Sequence, residues 1–370
     1  MRHLSAGALL VAAAITVVGC GSSDSSSTTS TGASSASSGA NVQQAKQDLD
    51  AIVAEPEQIT LPKLGAAVPK GKTISYLNCP VAICTEVGQG VEQATKALGW
   101  RFRNVPSNAT PAGYKQAWQQ IAQNPGHGVV DVAILPDSAV ESSIKQANVP
   151  VVAVTSPSAP GPGTLAVIDS REAVQRQGAA EASWVVQDAG KPVKSVFVYD
   201  PSLQAISTAW DGYRSQASKV CPKCSVDVLK VSAAKIGPAL AQDVVSHLQR
   251  DPDVGYVVFG LGDLATGVPA AIRSAGLADK VKIVVRAATP PNLQDVKSGA
   301  IAAAFTDEAY EAGWRAVDKV LRAMTNAPLG ETTPVGKVRL LTKDNLPADI
   351  SKPYSIPGYE DSFRQAWGLS

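Results

Sequence analysis

From residue 71 onward, short apolar runs rich in Val, Ile and Ala alternate with longer stretches in which apolar residues recur every three or four positions. Unbroken apolar runs suit strands buried on both faces, and the longer period suits amphipathic helices. The pattern predicts strands over residues 73–77, 101–105, 129–135 and 151–154, with helices at 86–98, 112–123 and 138–147 between them. After a Pro and Gly cluster at 157–163 and a crossing strand at 165–168, a second series begins. Its strands are expected at 195–199, 226–231, 255–259 and 282–285, and its helices at 172–188, 203–220, 238–249 and 264–274. Sustained strand–helix alternation builds parallel α/β sheets with right-handed crossovers, so two similar sheets are expected. The remainder predicts a strand at 301–305, a helix at 308–324, a strand at 335–341 and a polar tail with Tyr354, Tyr359, Phe363 and Trp367.

The first 70 residues follow other rules. Residues 4–19 hold no charge and Arg2 precedes them, a stretch too short to span a bilayer comfortably and suited to an export signal. The run ends in Val17, Val18, Gly19 and Cys20, which resembles the lipobox of bacterial lipoproteins; that resemblance implies cleavage after residue 19 and lipid on Cys20. An ordinary signal peptide with an incidental cysteine is the plainer reading. Residues 21–40 contain ten Ser, three Thr and three Gly, a composition that buries no core and behaves as a flexible tether, which favours an anchor. A helix at 42–53 and an extended strap punctuated by Pro56, Pro62 and Pro69 then lead to the first strand.

Charge and composition narrow the functions. The 370 residues are 45% hydrophobic and 18% charged, enough for two cores. Lys and Arg number 33 against 32 Asp and Glu, and loss of residues 1–19 removes one cation, so nothing draws the chain to nucleic acid. With His3, His127 and His247 the only histidines, a histidine-rich metal centre is excluded, and no metal or cofactor is expected. Beyond Cys20 the cysteines form two close pairs, Cys79 with Cys84 and Cys221 with Cys224, which in an exported chain read as disulfides. Zinc is the rival at Cys221 and Cys224, where the spacing is half a ribbon, and a thioredoxin-like site is weaker because a strand follows at once.

Three segments, EVGQGVEQATKALGW (86–100), GVVDVAILPDSAVESSIKQANVPVVAV (128–154) and VKSGAIAAAFTDEAYEAGWRAVDKVL (296–321), resemble in order and spacing the ribose-binding-like type I periplasmic solute-binding proteins of ABC importers. The resemblance implies two doubly wound parallel-sheet α/β lobes joined by a three-strand hinge and closing over a ligand. By that likeness residues 71–169 with 308–328 form the N-terminal lobe, and 170–307 with 329–370 the C-terminal lobe and tail. It also implies ligand contacts on loops at the carboxyl ends of strands. There this chain has Asn78, Ile83 and Cys84 in a loop without the family's paired aromatics, then Thr155 and Ser156 in place of an Asp-Arg pair. Asp200 with Trp210, Asp263, Arg286 and Asp307 complete the candidates, with Ala288 where the family has an aspartate. Asp263 also sits where a helix N-cap is expected. Arg286 has the fork that pairs with Asp307 or with an anionic ligand. Most of a monosaccharide's usual grip is missing, and each buried hydroxyl left unpaired costs about 1–3 kcal/mol.

Other motifs carry less. FGLGDLATG (259–267) matches no phosphate-loop or dinucleotide spacing, and neither His127 nor His247 lies near a nucleophile pattern. The expectation is a monomeric, non-enzymatic, lipid-anchored receptor on the outer face of the cytoplasmic membrane or in the periplasm, passing one solute to an ABC permease. The solute is a sugar or sugar-like molecule by family likeness, with a small acid as the other option. A sensory module presenting a bound signal to a membrane kinase or receptor is the alternative.

Overall fold

The computed structural model describes residues 39–53, 59–108, 110–161, 163–306, 308–332 and 338–369. Helix α1 (Val42–Ile52) leads into β1 (Thr73–Asn78), α2 (Ala82–Ala97), β2 (Arg101–Pro106), α3 (Pro111–Gln123), β3 (Gly128–Val132), α4 (Glu141–Ala147), β4 (Val151–Thr155) and β5 (Ala166–Asp169). The second series is α5 (Arg171–Ala189), β6 (Lys194–Tyr199), α6 (Gln204–Val220), β7 (Ser225–Lys230), α7 (Pro238–Arg250), β8 (Val254–Phe259), α8 (Val268–Ser274), β9 (Lys282–Arg286), α9 (Pro290–Ser298) and β10 (Ala303–Thr306). Helix α10 (Ala309–Met324), β11 (Arg339–Leu341) and α11 (Tyr359–Trp367) close the chain.

The first lobe's sheet runs β2-β1-β3-β4-β5, all parallel, and the second lobe's runs β11-β10-β9-β8-β6-β7, parallel except for β11 against β10. Helices on both faces bury strands such as β6, in which Val196, Phe197 and Val198 are wholly covered. Local signals set the helix ends. Thr110 accepts from Gly113 N–H ahead of Pro111, and Ser170 accepts from Ala173 N–H ahead of α5, which stops at Gly190 in the left-handed region, φ 63°. Helices α5 and α6 meet through glycines: a Cβ on Gly178 would stand 2.0 Å from the Ala209 carbonyl oxygen, and one on Gly212 1.9 Å from that of Gln175.

The chain passes between the lobes after β5, after β10 and between α10 and β11. It passes twice more. Helix α1 sits on the second lobe, where Leu49 and Ile52 pack against residues of α5 and Asp48 accepts from Gln216 Nε2 (2.6 Å) and Lys219 Nζ (2.7 Å) of α6. Residues 59–69 lie on the first lobe: Ile59 and Leu64 join its core, Leu64 N–H donates to Ala366, and Trp100 Nε1 donates to the Pro69 carbonyl. The tail corrects the sequence expectation. Strand β11 belongs to the second lobe, but α11 returns to the first, where Tyr359, Phe363 and Trp367 pack on Trp314 of α10 and the indoles of Trp314 and Trp367 stack at 5.3 Å. The polar tail hid an amphipathic helix with its aromatic residues on one face.

A buried ion pair fastens these returns. Arg322 Nε donates to Asp318 Oδ2 (2.8 Å), its Nη2 to the Pro62 carbonyl (2.6 Å) and its Nη1 to that of Pro328 (3.4 Å), while Trp367 Nε1 donates to Asp318 Oδ1 (2.8 Å). Strap, crossing and terminal helix thus converge on one turn of α10.

Candidate functional site

The lobes meet at the carboxyl ends of their strands, and a cavity lies between them, with about 810 Å³ of empty space that includes part of its opening to solvent. The first lobe contributes Val81, Ile83 and Val87 beyond β1, Val132, Ala133 and Ile134 at the end of β3, Val154 and Thr155 of β4, and Asp169 of β5. From the second lobe come Leu203 and Ile206 beyond β6, Leu261 beyond β8, and Arg286 and Ala287 at the end of β9; α10 adds Ala309 and Ala312. Ala287 holds φ 49°, a backbone conformation costly for a residue with a Cβ, at the cavity wall. The expected strand at 129–135 ends at Val132, and Ala133 and Ile134 beyond it wall the cavity instead of extending the ladder.

Cys79 and Cys84 are bonded, as are Cys221 and Cys224, with Cα atoms 5.5 Å and 5.3 Å apart. The first bridge lies on the cavity wall and ties the loop after β1 to the first turn of α2. The second ties the end of α6 to the start of β7, far from the cavity in the fold.

The candidate residues divide. Ile83, Cys84, Thr155 and Arg286 line the cavity. Arg286 is buried, its Nε donating to the Gly260 carbonyl (2.9 Å) and its Nη1 to Gln177 Oε1 (2.5 Å). Ser156 does not line it: its hydroxyl accepts from Ser158 N–H. Asp200 is committed to its own loop, with Oδ1 accepting from Ser202 and Oδ2 from Ala233 N–H (2.7 Å). Trp210 turns to the other side of the second sheet and stacks on Tyr199 at 6.5 Å. The side-chain Oδ1 of Asn78 is buried without a hydrogen-bond partner, and its carbonyl accepts from Ser107. Asp307 and Cys20 lie outside the described residues.

Asp263 has a different task from the cap expected of it. It sits in a helical turn after β8, and its Oδ1 reaches across the lobe boundary to accept from Ala82 N–H (2.9 Å), the first residue of α2. A carboxylate from one lobe therefore caps a helix of the other. One turn further along α2, burial and the charge of Asp263 push the Glu86 carboxyl up to about 8. Beneath the sheet, burial pushes Asp131 up to about 7 against the opposing hydrogen bonds from Tyr114 (2.5 Å) and Trp118 (3.1 Å).

Both carboxyls hold protons in the folded chain at pH values where the unfolded chain has lost them, so their contribution is full below about pH 4 and fades as pH rises through 7 to 8. Glu86→Gln is therefore expected to gain stability relative to the wild type as pH is raised from 6 to 9, measured as the difference in urea midpoints. A difference that stays constant across this window would place the Glu86 proton elsewhere.

Among the described residues, one cluster has metal-ligand chemistry: Asp227, His247 and Asp251. Lys194 Nζ already lies 3.2 Å from Asp227 and 2.5 Å from Asp251 and supplies the cation there.

Two parallel α/β lobes closed over a cavity at their strand ends define a type I periplasmic binding protein. Residues 78–328 match the periplasmic binding protein domain, and the chain belongs to that family. Solved structures share the fold at low identity. A periplasmic ribose ABC transporter structure from Conexibacter woesei is 18% identical over 76% of this chain and 94% of its own, with a TM-score of 0.62. An ABC transporter solute-binding protein from Burkholderia graminis, in complex with D-arabinose, is 16% identical over 79% and 100%, with a TM-score of 0.66. A carbohydrate transporter solute-binding protein from Agrobacterium radiobacter, also with D-arabinose, is 17% identical over 80% and 99%, with a TM-score of 0.63. A comparison with curated proteins gives no match.

The lining residues missed in sequence are nearly all apolar and sit mostly at or beyond the carboxyl ends of β1, β3, β4, β5, β6, β8 and β9, with two more on α10. Their position was the available signal, since ligands in such sheets bind there; a search for polar partners passes over them.

Proposed function

We propose that this chain is the solute-capturing receptor of an ABC import system, exported, held at the outer face of the cytoplasmic membrane by lipid on Cys20, and acting as a monomer without chemistry of its own. The observation that supports this best is the cavity enclosed between two lobes at their strand ends, the geometry of a clamp that closes on cargo. Its described lining includes no Ser, Lys or His, and its one Thr has no histidine beside it, so a nucleophile–base pair has no place there. Membership of the family supports sugar cargo and delivery to a permease.

Two measurements test the reading. Membrane fractions of expressing cells should retain the wild type and lose Cys20→Ser to the soluble fraction; equal retention would remove the lipid anchor. Native mass spectrometry of the chain from its own host should find one small molecule per chain, released chemically unchanged, and deletion of the gene should abolish high-affinity uptake of that molecule. Undiminished uptake would overturn the import role.

A further inference from the structure

We propose that the solute is a compact, mostly apolar molecule carrying a single polar head, and not a polyhydroxylated sugar. This rests on the reading of the interlobe cavity as the capture site. Of the nineteen described residues around the cavity, fourteen are Val, Ile, Leu or Ala and two are the disulfide cysteines. The polar side chains are Thr155, Asp169 and Arg286.

Those three come from the ends of three strands, two in the first lobe and one in the second. Thr155 and Asp169 are direct neighbours in the β4–β5 register, and Arg286 ends β9. The rest of the described lining, from Val81 and Ile134 to Leu203, Ile206 and Leu261, is aliphatic apart from the disulfide. A pyranose has hydroxyls on every edge of its ring. Seated here it would meet three polar side chains and bury its other hydroxyls against aliphatic carbon, each unpaired hydroxyl at a cost that apolar contact does not recover. A molecule with an apolar body and one hydroxyl or carboxylate places its body against the aliphatic lining and its head at one of these few polar side chains, which is the distribution such pockets favour.

Of the other described polar candidates, three are engaged elsewhere, and Asn78, whose Oδ1 has no partner, does not line the cavity. Asp200 holds Ser202 and Ala233, Ser156 holds Ser158, and Oδ1 of Asp263 caps α2. The lone oxygens Oδ2 of Asp263 and Oε2 of Glu86 are buried without partners, and neither residue lines the cavity. No aromatic side chain among the described lining residues offers a stacking platform for a sugar face.

The test is a thermal-shift and calorimetric panel on the mature chain with benzoate and benzyl alcohol as apolar-bodied probes of each head type, and D-ribose, D-arabinose and D-glucose as sugars. An apolar-bodied probe is expected to raise the melting temperature with saturable one-to-one heat, while the sugars leave it unmoved. Leu261→Asn, which puts an amide into the hydrocarbon wall, should weaken the probe at least about tenfold. Ile206→Asn serves if the ligand-free melting curve shows that Leu261→Asn does not fold. Saturable binding of a sugar with none of either probe overturns this inference and leaves the capture reading standing. No binding of any compound counts against both. Probe binding that survives both wall substitutions places it outside the cavity and overturns the proposal.

Discussion

Asp318→Ala is expected to lower the unfolding free energy by about 3–5 kcal/mol, the cost of stripping the partner from a buried cation. Arg322 is 1% exposed, and two of its remaining contacts are backbone carbonyls, which accept hydrogen bonds but do not neutralise it. The same change removes the acceptor for Trp367 Nε1, so α11 loses the polar contact that fixes its register on α10. The control is Asp318→Leu with Arg322→Met. Removing both charges together leaves no orphan cation, and the double variant should recover much of the loss. Urea unfolding followed by tryptophan fluorescence reads both. A loss below about 1 kcal/mol for Asp318→Ala would mean that Arg322 reaches water, contrary to its burial.

Gly178→Val should cost about 3 kcal/mol, at the upper end of what overpacking usually costs. The obstruction is backbone, not a side chain that can swing away: the new Cβ meets the Ala209 carbonyl at 2.0 Å, and the reciprocal contact of Gly212 with Gln175 lies one turn along. The helices can accommodate a side chain only by separating, which opens gaps around Ala209 and Tyr213 beneath them. Gly178→Ala should already destabilise, though an alanine in an unobstructed helix is better than glycine by about 1 kcal/mol. Thermal unfolding checks both, and an unchanged midpoint for Gly178→Ala would show that the helices separate freely.

The architecture was largely legible because strands buried on both faces leave unbroken apolar runs and because caps mark helix ends locally. Misses had local causes. No helix was expected at α9, yet Pro290 and Pro291 occupy its first turn, where a missing N–H costs nothing, and Thr289 and Asn292 form a capping box around them. The strand after Pro125 was drawn too long because Ala133, Ile134 and Leu135 are as apolar as a strand interior, although Ala133 and Ile134 serve as cavity wall and Leu135 packs in the core. Polarity misled at the site itself. Asp200, Ser156 and Asp263 are polar residues on the correct loops, but their oxygens go to loop and helix N–H groups, and sequence does not reveal which acceptor meets which donor. Trp210 lies on the helix after the right strand and on the wrong face of it. The sequence lacks the family's paired aromatics and Asp-Arg pair, and the described cavity lining is mostly aliphatic; both observations bear on the proposed cargo.

The two ends of the chain have an implication for anyone converting this scaffold into a biosensor. Leu49 of α1 is seated on one half of the clam and Trp367 of α11 on the other, so neither of these flanking helices is spare. A fluorescent fusion placed directly after Trp367, or a coding region trimmed to start at Thr73, would unpick stitching that holds the halves in register. Reporter insertions belong in exposed surface turns such as Gly276, which lies between α8 and β9.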